Sequence, residues 1–424
     1  MTEEIKDALD LLRAARDAET PTGLDRILEA VRSHLGMQVA YVSEFVGDRT
    51  YFRAVDAPGL EQVIKAGDSM SLDDVYCRHI LEGRLPEIIP DTAELPFAQG
   101  VPLTQAMGIK AHISVPLKLA DGRTYGMFCC VSTQPEPSLN SRDLKIMRAF
   151  AELTALQIGQ DLAAKAEQKA TEQQVRRVLD ADELSIVLQP IRSLRDDRIL
   201  GFECLSRFAG PEGYPPDVWF AKAESVGLGL ELELRAVARG LALLSRLPSR
   251  FYLTLNVAPA TIVSAALASM LSAVDGPRVV LEITEHATVE DYDALKLALV
   301  KLRGAGVRLA VDDAGAGYAS LRHILALQPD IIKLDISLTR NIHADPARNA
   351  LAAALVQFAR QTACVILAEG VEDQRELGAL QKLGINCAQG YHLGRPMPVE
   401  QALAAANLQE DVRGRRLAAP PRTA

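Results

Sequence analysis

Apolar residues along this chain fall into two regimes. In the first, up to about residue 160, helical stripes and strand-like runs are mixed. An amphipathic helix is expected from Ile5 to Ala18, and a second from Gly23 to Leu35, where Leu24, Ile27, Leu28, Val31 and Leu35 share one stripe. Strand-like runs follow at VAYVSEF from Val39 and TYFRAV from Thr50, then a short helix from Cys77 to Glu82 and a strand from Glu87 to Ile89. HISVPLKLA from His112 and TYGMFCCVS from Thr124, joined through Asp121-Gly122, predict a hairpin, and a helix from Ser141 to Leu162 closes the unit.

After Asp182 short apolar runs alternate with helical segments, a pattern that predicts a parallel sheet. The runs are ELSIVLQP, RILGFECLSRF, FYLTLNV, RVVLEITE, VRLAVDDAG, IIKLD, CVILAEGV and INCAQGYHLG. Helical segments such as Ala221–Leu247, Asp291–Ala305 and Ala347–Thr362 lie between them. Eight strands with intervening helices over about 230 residues fit a (β/α)8 barrel. Between the two regimes, residues 152–180 form helices readily. Ile158, Leu162, Ala166 and Ala170 recur every four residues there. That stripe suits either a narrow seam against the same helix of a second subunit or a solvated linker helix.

The polar residues at the strand ends change the picture. In a barrel of this kind the site lies where the strands end. Those ends carry Gln189, Glu203, Asn256, Glu282, Asp312 with Asp313, Lys333, Glu369 and Gln389. Five of them are acids. Carboxylates crowded around one opening repel each other and resist desolvation, so a cation or a proton must lie among them. Oxygen and amide donors without clustered His or Cys select hard ions such as Mg²⁺ or Mn²⁺. An acidic two-metal cleft is an arrangement used to hydrolyse phosphate esters.

Composition adds limits. The chain has 424 residues, 48% hydrophobic and 24% charged, which is ordinary for a globular protein of two or three domains. A net charge of −9 argues against a nucleic-acid polymer as partner. The start, MTEEIKDALD, lacks a secretory signal, and no uncharged apolar run approaches membrane-spanning length. Six cysteines without a C-x-x-C pair suit reduced thiols, so a cytoplasmic protein without a membrane is expected. Residues 409–424, rich in Pro and Arg beyond Arg413, are expected to be a flexible tail.

Two stretches carry family resemblances. YCRHILEGRLPEIIPDT and ISVPL…DGRTYGMFCCVS resemble a GAF domain over roughly residues 20–160. That resemblance implies an α/β sensory fold with a small-molecule ligand of unknown identity. Cys77, His79 and His112 are read as core or rim residues, and none is assigned to that ligand. Glu203-Cys204-Leu205 within ECLSRF, together with WFAKAESVGL, LNVAP, EITE, DDAGAGYASL, IIKLD, AEGVE and QGYHLGRP, resembles the EAL family of cyclic di-GMP phosphodiesterases over roughly residues 178–408. The expected order is a GAF domain over 1–160, a connecting helix over 161–180, an EAL barrel over 181–408 and the tail.

The EAL resemblance implies that Glu203, Asn256, Glu282 and Asp312 hold one metal ion and that Asp312 bridges to a second held with Asp313. It implies that Lys333 and Glu369 position or deprotonate the attacking water, with Glu203 counted among the catalytic groups. Gln189, Arg207 and Gln389 would contact the dinucleotide, and Glu285 would brace the loop after Asp313. The implied reaction is hydrolysis of cyclic di-GMP to linear pGpG with two Mg²⁺ or Mn²⁺ ions, in a homodimer controlled by the GAF domain. The family commonly shows DDFGTGYSS where this chain has Ala314, Ala316 and Ala319 at the Phe, Thr and Ser positions. This departure keeps two alternatives in view: a receptor that binds the dinucleotide without turnover, and a signalling scaffold.

Overall fold

The computed structural model describes residues 23–283, 289, 291–314 and 318–417. The expected helix Ile5–Ala18, Glu285, and Gly315 to Gly317 lie outside the described residues. The chain divides into two compact units, residues 1–167 and 168–424.

The first unit is built on a six-stranded antiparallel sheet of β1 (Val39–Val46), β2 (Arg49–Asp56), β3 (Ser69–Ser71), β4 (Ile88–Ile89), β5 (Ala111–Lys118) and β6 (Thr124–Ser132), in the order β3-β2-β1-β6-β5-β4. The expected hairpin is β5–β6. Both sheet faces are covered, and this is why its central strands read as continuous apolar runs rather than alternating ones. Ile27, Leu28 and Val31 of helix Gly23–His34 and Met147, Phe150 and Ala151 pack on one face with Val42, Ile113 and Phe128. Tyr41, Phe52, Met127 and Cys129 meet Tyr76 and Ile80 of helix Tyr76–Leu81 on the other. Gly126 is required by the close approach of β1: a Cβ there would lie 1.8 Å from the carbonyl oxygen of Ser43.

The helix closing this unit does not stop near Leu162. It runs unbroken for 40 residues, Ser141–Asp180, so the closing and connecting helices are one element.

The second unit is a closed barrel of β7 (Leu184–Ser193), β8 (Ile199–Phe208), β9 (Tyr252–Asn256), β10 (Val279–Ile283), β11 (Arg308–Ala314), β12 (Ile331–Leu334), β13 (Val365–Ala368) and β14 (Cys387–Ala388). Strands β8 to β14 pair in parallel, but β7 is antiparallel to both of its neighbours, β8 and β14. The all-parallel expectation is therefore corrected at this strand. Its cause is chain length: only residues 194–198 join β7 to β8, far short of the dozen or so that a parallel crossover needs.

The expected helix Ala221–Leu247 is likewise two helices, Pro216–Ser225 and Gly229–Ala242, separated where Gly227 adopts φ +74°. The helices Tyr292–Gly304 and Pro346–Thr362 begin at Asp291 and Asp345, whose side chains accept from their first-turn amides. A last helix, Val399–Leu417, carries the chain into the stretch expected as a tail, and residues 418–424 lie outside the described residues. All the cysteines are free thiols, and no described helix is long and apolar enough to cross a membrane.

One buried group in the first unit has a measurable consequence. His112 has no exposed surface, is stacked on Tyr76 with ring centroids 4.2 Å apart, and has both ring nitrogens unpartnered. Burial pushes its imidazole down to about 3. The unfolded chain, with a value of about 6.5, therefore takes up the proton first as the pH falls. Stability present above about pH 6.5 is lost toward pH 3 with a slope of about 1.4 kcal/mol per pH unit. The urea unfolding of His112→Phe should show a pH dependence flatter than wild type by that slope between pH 6 and 4. Equal slopes would mean that His112 is hydrated or charged in the fold.

Candidate active site and metal centre

The acidic cluster follows from strand parity. Side chains two apart on a strand share a face. Val280, Ala310, Ile331, Leu367 and Cys387 form one buried apolar layer with Ile191 of the reversed strand. Each stands two residues before Glu282, Asp312, Lys333, Glu369 or Gln389, and Ile191 stands two after Gln189. The polar groups therefore form the next layer up, on an apolar floor. Cys204, of the other parity, points outward and packs with Val237 and Leu255 in the shell between sheet and helices.

Lys333 is the centre of the polar layer. It has no exposed surface. Its Nζ lies 2.8 Å from Asp312 Oδ2, 2.9 Å from Glu369 Oε1, 3.0 Å from Glu282 Oε2 and 3.6 Å from Glu203 Oε1. Gln389 Nε2 donates to Glu203 Oε2 at 2.8 Å and to Glu369 Oε1 at 2.7 Å, and Asn256 Nδ2 donates to Glu203 Oε1 at 3.3 Å. Gln189 pairs directly across from Glu203, so it shares that face, and its Nε2 reaches the carbonyl of Gly394 at 3.2 Å.

Asp312 and Asp313 are neighbours in sequence, and a regular strand would point them to opposite faces. The register with β12 shifts between Val311 and Ala314, and Asp313 takes the left-handed conformation at φ +54°. This bulge brings both carboxylates to one place. Two groups of carboxylates have oxygens within 4.8 Å of one another: Glu203, Glu282 and Asp312; and Asp312, Asp313 and Glu369. Asp312 is common to both.

Electrostatics follow from burial and from the single cation. Burial pushes the Glu282 carboxyl up to about 8, with Glu203 and Asp312 adding to the shift and Lys333 opposing it. Burial likewise holds Glu369 well above the usual carboxylate range against the pull of Lys333. Burial disfavours the charged form of Asp312 as well, yet the Lys333 ammonium and the Asp313 amide outweigh it and hold Asp312 below its ordinary value. For Lys333 burial acts downward, and the four surrounding acids raise it far above the ordinary lysine value.

This donor set suits a hard divalent ion. It is all oxygen apart from amides, and Glu282 Oε1 is buried with no hydrogen-bond partner, a vacancy a cation would satisfy.

Arg207 is not part of the cluster. It lies four residues beyond Glu203 on the same face of β8, about 13 Å further along the strand. It is exposed there, and its guanidinium donates to the Ser206 carbonyl at 2.7 Å. Two supporting residues were not anticipated. Thr339, fully buried, donates to the carbonyl of Glu369 at 2.5 Å, and Arg192 Nε donates to the carbonyl of Leu393 at 2.8 Å. A lone Thr in a short helix gives no sequence signal. The arginine is legible only once β7 is known to run beside the loop after Gln389. Gly370, at φ +63° against Ile336, turns the chain directly after Glu369.

Known proteins resemble both units. Residues 20–158 match the GAF domain and residues 172–396 the EAL domain. The cyclic di-GMP phosphodiesterase RocR of Pseudomonas aeruginosa is 32% identical over 240 residues, covering 54% of this chain and 61% of that protein. The cyclic di-GMP phosphodiesterase NbdA of the same organism is 31% identical over 263 residues, 59% of this chain and 33% of that protein. The chain thus spans less than two thirds of either relative. The solved PaMucR phosphodiesterase in complex with c-di-GMP superimposes with a TM-score of 0.50 at 26% identity, covering 55% of this chain and 99% of that one. With the EAL match extending over more than half its length, and a GAF domain ahead of it, this chain belongs to the EAL family.

Proposed function

We propose that the barrel hydrolyses cyclic di-GMP to linear pGpG at a two-ion centre and that the GAF domain regulates it. The observation that carries this reading is the membership of Asp312 in both carboxylate groups. Glu203, Asn256, Glu282 and Asp312 would hold one Mg²⁺ or Mn²⁺ ion, and Asp312 with Asp313 the other. Bound there, the ions would polarise the phosphate and lower the proton affinity of water. Glu369, whose proton affinity is raised by burial, accepts the water proton, and Lys333 orients the water. Gln189, Gln389 and the rim residue Arg207 contact the dinucleotide, and Arg207 presents a fork of donors to a phosphate. Glu285 supports the loop after Asp313. The protein acts in the cytoplasm as a homodimer, with a small molecule bound at the GAF domain. Domain boundaries near residues 160, 180 and 408 complete this reading.

The deciding assay incubates the purified chain with cyclic di-GMP and Mg²⁺ or Mn²⁺ and separates the nucleotide products. Binding without pGpG would favour a receptor, the reading suggested by Ala314, Ala316 and Ala319 in the loop.

Glu203→Ala or Asp312→Ala should cut turnover by more than the roughly 10–100-fold expected of a change outside the ligand shell. Both variants should remain folded, because each removes one acid from a crowded ring. Wild-type turnover in either would overturn the ligand assignment.

Glu369→Gln should retain much of the affinity for cyclic di-GMP and lose turnover, as expected of a group acting in the transition state. Arg207→Ala should instead weaken substrate binding. Equal changes in Kd and kcat for the two variants would sink this division of roles.

Regulation is assigned to the unbroken helix Ser141–Asp180. Two residues inserted near Ala166 rotate its faces by about 200°. Turnover should change relative to the full chain, and any response to cell extract as a ligand source should be lost or inverted. Full chain, insertion variant and a chain starting near Glu172 with identical turnover, with and without extract, would exclude this route.

A further inference from the structure

The oxygens that a divalent ion needs are already engaged. Of the three acids in the first ligand group, Glu282 and Asp312 each direct one oxygen at the Lys333 ammonium, at 3.0 and 2.8 Å, and Glu203 stands at 3.6 Å. Glu369 adds a fourth at 2.9 Å. No other Lys or Arg of the described residues makes an ion pair with any of these four acids in the structure; their other partners include the neutral amides of Asn256 and Gln389 and the backbone of Asp313, and Asp312 and Glu369 hydrogen-bond to each other. All four acids lose most of their hydration, Glu282 and Glu203 being 1% and 5% exposed. A buried acid without a cation or a proton is strongly unfavourable, and one ammonium is the cation around which this ring is held together.

We propose that Lys333 is the built-in cation of the ion-free barrel, and that its ammonium competes with the divalent ion for Glu282 and Asp312, so that loading the site is an exchange of cations. This rests on the reading that Glu203, Glu282 and Asp312 bind the ion. Two features of the site give the exchange a path. Glu282 Oε1 is buried and unpartnered, so an arriving ion finds one free oxygen before the ammonium has moved. The lysine cannot withdraw downward, because Val280, Ala310, Ile331 and Leu367 close the floor beneath it. Its ammonium stays within the ring and already stands 2.9 Å from Glu369, the group assigned to the water, a partner it keeps when the ion takes Glu282 and Asp312. The residue that keeps the empty ring folded is thereby left on the side where the reaction takes place.

The inference separates affinity from activity. Removing Lys333 leaves a ring more negative and free of a competitor, so it should bind an ion more tightly while losing turnover. For Lys333→Met, calorimetric titration with Mn²⁺ should give a Kd lower than wild type by about tenfold or more. The ion-free variant should melt roughly 5–10 °C below wild type and regain most of this on adding Mn²⁺. A Kd equal to or higher than wild type would overturn the proposal, whatever the melting temperature, since it would make Lys333 an organiser of the site rather than a competitor.

If Lys333→Met does not fold even with Mn²⁺, the wild-type chain decides the matter. With ¹⁵N-lysine incorporated, the buried and slowly exchanging Lys333 ammonium should give a resolved signal that moves when diamagnetic Mg²⁺ is added. An unmoved signal at saturating Mg²⁺ would overturn the exchange. Failure of the underlying reading looks different: wild type would show neither heat nor stabilisation with either ion, and that result would remove the metal assignment and the exchange together.

Discussion

The structure of the barrel's upper half depends on one ion-pair arrangement, the Lys333 ammonium within reach of four buried acids. Pairwise attraction does not by itself make such an arrangement favourable, because desolvating each group costs several kcal/mol. What makes it tolerable is complete enclosure on one side and hydrogen bonds on the other. The apolar floor excludes water from below; Gln389 donates to Glu203 Oε2, away from the ammonium, while Gln389 and Asn256 share Glu369 Oε1 and Glu203 Oε1 with it. The carboxylates respond unequally. Asp312, nearest the ammonium, stays below its ordinary value, while burial raises Glu282 and Glu369. Neighbouring acids in one ring are thus held at different proton affinities by a difference in surroundings, without any difference in chemistry.

Geometry of this kind cannot be made from regular strands alone. A straight β11 would give the ring one aspartate and send the next to the helices. The bulge at Asp313 spends a left-handed residue to place both. Aspartate is among the non-glycine residues that tolerate this conformation best, so the strain is modest. After Glu369 and Gln389 the turns fall to glycine. A Cβ on Gly390 would lie 2.2 Å from the amide nitrogen of Val371, so the two loops bearing Glu369 and Gln389 are in backbone contact. Across that contact the Glu369 carboxylate and the Gln389 amide lie 2.7 Å apart.

Much of this was legible in the sequence. The apolar runs, the hairpin Asp121-Gly122, the barrel's strand count and the ring of polar strand ends all follow from periodicity, and the EAL and GAF resemblances agree with the matched domains. What escaped has definite physical causes. The reversal of β7 was encoded in the five residues between two strand-like runs, but the alternating pattern downstream outweighed that spacing. The break at Gly227 was hidden in a segment apolar on one face throughout. That Asp312 and Asp313 share a site was expected, but the register shift that allows it was not, because no periodicity reports a bulge. That Lys333 faces the acids was legible from its place at a strand end; that it sits fully enclosed at their centre was not. Only the layer of Val280, Ala310, Ile331 and Leu367 beneath the ring shows why it is fully enclosed.

The same layering bears on how a signal could enter the barrel. The final turns of the long helix are buried in the second unit: Val175, Val178 and Leu179 pack with Trp219, Ala223, Leu228 and Leu232, and Phe208 lies against that cluster. Arg177 fixes the helix end further through Glu212 at 2.7 Å. Phe208 is the last residue of β8, the strand that bears Glu203 and Arg207. The helix end therefore packs against the strand that bears Glu203 and Arg207, apart from the loop after Asp313. Strand β8 is hydrogen-bonded on both sides, to β7 and β9. Its Glu203 is held by Gln389 and Asn256 through hydrogen bonds of 2.8 and 3.3 Å. Strand β8 thus joins the cluster around the helix end to the acidic ring within a single element.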